Sequence, residues 1–261
     1  VNRNHARYLV NRTMRDELNF LTDALKPDSG IKFETPIAHL IPRMPTASIV
    51  GDSSLLACGG YSITLKFWWH FSFPSGVVKR TLLHLNDNSD EKFISINCLE
   101  YFTIIVNYCA SLVVFSSKKI NDDPHPVVLC VTDNTSALNW TLHTSKKSRI
   151  GRALARFFCG LLIGSHVGIN AKWISTVENE IADKISRLKK LTPSETKSSS
   201  SHDTYDYANL QQEHKELKAC NSFQPSHKLV SLLSEILLTG NCPDLKQILK
   251  LKPQDLGKLC T

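Results

Sequence analysis

Apolar positions along this chain change period several times, and each change marks an element. Residues 1–26 carry Leu18, Leu21 and Leu25 at helical spacing among Arg, Asp and Glu, and Pro27 with Gly30 ends the pattern. Residues 31–46 are punctuated by Pro36, Pro42 and Pro45, which suits an extended tether leading into a domain. Residues 48–52 form a short strand candidate, and Gly59-Gly60 reads as a turn. Beyond it Tyr61, Ile63, Leu65, Phe67, Trp69 and Phe71 alternate with polar or opposite-facing residues, the period of a long strand or a pair of strands. Pro74-Ser-Gly then opens a loop, and residues 86–90 form a polar turn.

The middle of the chain continues in alternation of helix and strand. A helix capped by Ser95 runs to about Val114, with Ile96, Leu99, Thr103 and Val106 on one face. The stretch 122–126 breaks it, and residues 127–131 form a continuous apolar run, the mark of a strand buried on both faces. A short helix over 134–141 follows. A longer amphipathic helix over 145–164 turns Ile150, Leu154, Phe157 and Leu161 inward. Residues 168–174 read as another strand, and a last helix begins near residue 180.

This order predicts an α/β fold whose mixed sheet starts antiparallel and continues parallel. After Lys190 the composition shifts to a polar, serine-rich stretch. The expected organisation is a helical tether over 1–46, a domain over 47–190, a flexible linker over 191–222 and a short helical tail over 223–261. No internal repeat is present.

Composition narrows the class. Of the 261 residues 42% are hydrophobic, enough for a sizeable core, and the formal charge of +7 favours a polyanionic partner. None of the eight cysteines forms a C-x-x-C pair, and several lie inside apolar runs. They read as small buried hydrophobes of a reducing compartment, cytoplasmic or nuclear, and not as disulfides or a zinc site. No apolar run reaches membrane-spanning length and the first residues lack a signal-peptide core, so no membrane is expected.

Four carboxylates carry the candidate chemistry. Asp52 ends the first strand and Asp133 directly follows the buried one, where ligands of open α/β sheets gather. Each also has a plain structural reading, as a turn residue or a helix cap. Asp183 lies in W-I-S-T-V-E-N-E-I-A-D-K-I-S-R, where Glu178 and Glu180 equally suit a helix N-terminus and Asn179 suits a cap. Glu100 is harder to explain structurally, because the helix around it is almost wholly apolar and a glutamate there needs a partner or a metal. Four carboxylates together suit two Mg²⁺ ions about 4 Å apart.

The pieces G-D-S-S, I-N-C-L-E-Y, V-T-D-N-T-S-A and N-E-I-A-D-K-I-S-R, in this order, resemble the ribonuclease H region of retrotransposon reverse transcriptases, DIRS-like elements above all. The resemblance covers about residues 40–190, and residues 1–46 resemble the connection that follows the polymerase domain. It implies a five-stranded ribonuclease-H-like sheet flanked by helices, and cleavage of the RNA strand of RNA–DNA hybrids with two Mg²⁺ or Mn²⁺ ions. Asp52, Glu100, Asp133 and Asp183 would be the catalytic metal ligands, with the polymerase domain of the same polyprotein as a partner. Related enzymes often carry a histidine where this chain has Trp173, which instead reads as a core residue.

Lys146, Lys147, Arg149, Arg152 and Arg156 cluster between the third and fourth acids, and the three arginines share a helical face. They are candidate phosphate contacts, with Ser53, Ser54 and Asn134 as candidates for the sugar edge of a hybrid. Two other readings compete: a catalytically inactive nucleic-acid-binding module of the same fold, and an integrase- or resolvase-type nuclease. Retention of all four acids disfavours the first, and the acid order with its late helical aspartate disfavours the second.

Overall fold

The computed structural model describes residues 12–29, 31, 39, 44–83, 93–117, 123–143, 148–188 and 207–260. Seven strands form one mixed sheet: β1 (Ala47–Ser53), β2 (Ala57–Ser62), β3 (Phe67–Ser72), β4 (Val127–Thr132), β5 (Gly168–Trp173), β6 (Asn221–Pro225) and β7 (Gly257–Cys260). Their order is β5-β4-β1-β2-β3-β6-β7. The first three strands form an antiparallel meander, and β4 and β5 add in parallel on the β1 side. The expected α/β class and mixed sheet are present.

The described helices are α1 (Arg12–Leu25), α2 (Ser75–Leu83), α3 (Ile96–Ser117), α4 (Thr135–Leu142), α5 (Arg149–Ile163), α6 (Glu180–Ser186), α7 (Tyr207–Glu213), α8 (His227–Thr239), α9 (Leu245–Leu249) and α10 (Pro253–Leu256). The core is centred on α3, whose apolar residues face the sheet on one side and α5 on the other. At 22 residues α3 is long and apolar enough to cross a membrane by length and composition, which corrects the expectation that no segment reaches that length. Its side chains are packed inside the fold, among them Tyr101, Phe102, Ile105 and Tyr108.

Gly59-Gly60 is not a turn but the middle of β2, and the chain reverses instead at residues 63–66, where Lys66 takes a positive φ. Close approach explains the glycines. A Cβ on Gly60 or on Gly51 of β1 would overlap the side chain of Asn107 on α3. A Cβ on Gly59 would overlap Ile185 of α6, on the opposite face, because successive strand residues point to opposite sides. These glycines let α3 and α6 press onto both faces of the strands that carry Asp52.

Two further elements differ from expectation. Pro74-Ser-Gly opens helix α2 instead of a loop, with the Pro74 carbonyl accepting from the amides of Val77 and Val78. The sheet has seven strands where five were expected, because β6 pairs in parallel with β3 and β7 pairs antiparallel with β6. The span 191–222 expected as a linker contains helix α7 and the start of β6, with residues 191–206 outside the described residues, and the expected tail from 223 joins the main core through Phe223, Leu229, Leu233, Ile236 and Leu237. Tyr207 stacks on Trp68 with ring centres 3.6 Å apart, while Trp69 points the other way and donates its indole N–H to Asn107. All eight cysteines are free thiols.

Candidate metal centre

Because β1 and β4 are neighbours and run parallel, their carboxyl ends lie side by side at the same end of the sheet. Asp52 is the penultimate residue of β1, Asp133 follows β4, and Glu100 projects from the first turns of α3. Their ligand atoms lie within 4.8 Å of one another. This is a dense group of negative charge in a poorly solvated place, since Asp52 and Glu100 are both buried.

The hydrogen bonds within the group are few. Glu100 Oε1 accepts the Ser53 amide at 3.2 Å, whereas Oε2 is buried and has no hydrogen-bond partner. Asp52 Oδ2 accepts from the Ser186 hydroxyl at 2.6 Å, and Asn179 Nδ2 reaches Oδ1 at a marginal 3.5 Å. The Oδ1 of Asn179 is likewise buried without a partner. Burial, then the charges of Asp52 and Asp133, push the Glu100 carboxyl well above the usual range. Burial also raises Asp52; the Ser186 hydrogen bond opposes this, and the charges of Asp133 and Asp183 add to it. In water such repulsion is relieved by protonation; a cation relieves it without neutralising the ligands.

Asp183 stands apart. Its carboxylate is not among the atoms that meet within 4.8 Å, although its charge is felt at both Asp52 and Glu100. Instead Asp183 Oδ1 accepts from Arg187 Nε at 2.8 Å, four residues on at the end of α6.

The other candidate residues fall into three groups. Ser53 is buried and donates its hydroxyl to the Ser54 carbonyl at 3.3 Å, and Ser54 and Asn134, both half-buried, also have internal partners. Ser54 Oγ closes the β1–β2 turn through Ala57, while Asn134 caps α4 through the Ala137 amide and donates to Asn97 at 3.0 Å. Arg149 and Arg156 on α5 are also engaged, Arg149 with Asn241 at 2.9 Å and Arg156 with Glu17 of α1 at 2.9 Å. Arg152 is half-buried between them. Lys146 and Lys147 lie outside the described residues.

Trp173 is not a core residue. It is 46% exposed at the end of edge strand β5, and its indole N–H donates to the Asp133 carbonyl at 2.8 Å, fixing the turn that carries that acid. Sequence reasoning also missed Asn179, Ser186 and Asn97. Asn179 occupies the expected N-cap position of α6, but its side chain makes no cap bond and turns into the site. The one available signal was periodicity, because Asn179 and Ser186 are two helical turns apart and share a face.

Comparisons with protein-family models, with curated proteins and with solved structures return no match.

Proposed function

We propose that the carboxylates at the ends of β1 and β4 form a divalent-metal centre, which makes the chain a metal-dependent phosphodiester hydrolase. Within that class we read it as a ribonuclease-H-type endonuclease that cuts the RNA strand of RNA–DNA hybrids, as part of a retroelement reverse transcriptase. The observation that carries the first step is Glu100: a buried carboxylate with one oxygen lacking any partner, facing two more carboxylates. A structural role would leave that oxygen uncompensated, at a cost of about 1–3 kcal/mol or more. Hard oxygen ligands of this kind suit Mg²⁺ or Mn²⁺.

The finer step rests on the motif resemblance, with support from topology. An antiparallel three-strand meander followed by two parallel strands is the layout the resemblance implies. Bound divalent ions would supply an activated water and stabilise the leaving oxygen of the phosphodiester. The chain's own part is positional. Asp52, Glu100 and Asp133 bind, Ser186 and Asn179 hold the Asp52 carboxylate in one orientation, and Trp173 fixes the turn at Asp133.

One observation favours the inactive-module reading: Asp183, the fourth acid, is already paired with Arg187. Labelled RNA–DNA hybrid, RNA duplex and DNA duplex, incubated with the chain in Mg²⁺ or EDTA, separate the two. The nuclease reading expects Mg²⁺-dependent cleavage of the RNA strand in the hybrid alone. Binding without cleavage at any Mg²⁺ or Mn²⁺ concentration assigns the chain to the inactive module.

A further inference from the structure

The four acids do not form one equivalent set. Three of them bring ligand atoms within 4.8 Å, and the fourth is held by a cation that the chain itself provides. Arg187 extends from the residue after α6, and its neighbour Ser186 ties that helix end to Asp52 at 2.6 Å. The guanidinium is therefore placed at the rim of the acid group, where its charge also acts on Asp52. The inner group has the mark of a site that expects a ligand, since Glu100 Oε2 and Asn179 Oδ1 are buried there without partners. The outer acid has no such deficit.

Exposure shows which way this arrangement yields. The side chains of Arg187 and Asp183 are 63% and 33% exposed, so their ion pair is solvated and weak. A divalent ion carries twice the charge of a guanidinium and competes for the same oxygen. It must also approach an arginine charge that remains on a short tether.

We propose that Arg187 is a built-in competitor for the outer cation position: Asp52, Glu100 and Asp133 take one divalent ion first, and a second binds only when Arg187 releases Asp183. This rests on the metal-centre reading above and adds an order of occupancy to it. The pair then sets the divalent-ion concentration at which the site is complete, and Arg187 is a positioning residue acting through Asp183.

Calorimetric titration of the metal-free chain with Mn²⁺ tests this without any activity measurement. The parent is expected to bind one ion tightly and a second at least about tenfold more weakly. Arg187→Gln should tighten the second ion by roughly 3–10-fold and leave the first within about twofold, whereas Arg187→Lys, which keeps the charge, should resemble the parent. Asp183→Asn should remove the second ion alone, and Glu100→Gln should remove the first. Two ions of equal affinity in the parent, or an unchanged second affinity in Arg187→Gln, overturns the competitor role while leaving the metal centre standing. No Mn²⁺ binding by the parent, with Arg187→Gln equally silent, overturns both. Unchanged metal-free melting of Arg187→Gln shows that the variant is folded, as expected for a side chain this exposed.

Discussion

The acid group at the strand ends and the arginine row on α5 carry opposite charge, and they differ in how that charge is satisfied. Arg156, only 14% exposed, is matched within the chain by the Glu17 carboxylate, and the exposed Arg149 donates to the Asn241 amide oxygen. Glu100 and Asp52 are more deeply buried, yet face like charges, and Glu100 keeps one oxygen without a partner. A matched buried charge is a packing feature and joins elements, here α1 to α5. An unmatched one is relieved by a proton or, in the reading proposed above, by a cation from outside. Sequence showed both clusters equally well; partners tell them apart.

The largest effect that this contrast predicts is at Glu100. Glu100→Gln keeps the shape and removes one charge from the repelling group. The metal-free variant should melt at or above the parent temperature, while Mg²⁺-dependent hybrid cleavage should fall by about 10³-fold or more. A variant less stable than the parent without metal would mean that Glu100 is matched after all.

Next in size is a stability loss on the matched side. Arg156→Ala should destabilise the fold by about 1–2 kcal/mol in chemical denaturation, through the lost Glu17 pair and the lost packing of its stem. It should leave the salt dependence of hybrid binding unchanged. A slope reduced by about one unit would restore Arg156 as a phosphate contact.

Ser186→Ala sharpens the contrast from the other direction, because it removes the strongest hydrogen bond to Asp52. Metal affinity should fall by about tenfold while the metal-free fold changes little.

The smallest effect lies in the pH dependence of the metal-free chain. Glu100 is raised by burial and by its acidic neighbours, so the folded state keeps a proton that the unfolded state has lost. Stability from this group is present at low pH and is lost as pH rises from about 4.3 through the raised folded value. His70 works in the opposite sense. Burial lowers it to about 4, so it costs stability as pH falls from about 6.5 towards that value. Glu100→Gln removes only the first contribution. Melting curves of variant and parent should therefore coincide below about pH 4 and separate towards neutral pH, with the variant higher.

Charge in apolar surroundings was what made the site legible. Asp52, Glu100 and Asp133 stood out because a strand end or an apolar helix has little structural use for a carboxylate. Asn179, Ser186 and Asn97 were hidden for the converse reason: uncharged polar residues near helix ends have ordinary roles as caps, and only the fold shows where they turn. The alternation over 61–72 was real, but its boundaries depended on Gly59 and Gly60. Those glycines read locally as a turn, while their cause is the approach of Asn107 and Ile185 from distant helices. Strands β6 and β7 are short and pair with residues far away in sequence, so no local period announced them. Trp173 looked apolar enough for the core, yet it serves the Asp133 turn through its N–H.

Melting with and without Mn²⁺ at neutral pH tests most directly whether the inner acids bind a divalent cation. At an ion concentration about 100 times the dissociation constant, linkage predicts roughly 2.7 kcal/mol of added stability, a rise of about 5–10 °C in the parent over its value in EDTA. Glu100→Gln should show almost none of that rise. Equal rises in parent and variant, or no rise in the parent, would contradict a metal centre built on Asp52, Glu100 and Asp133.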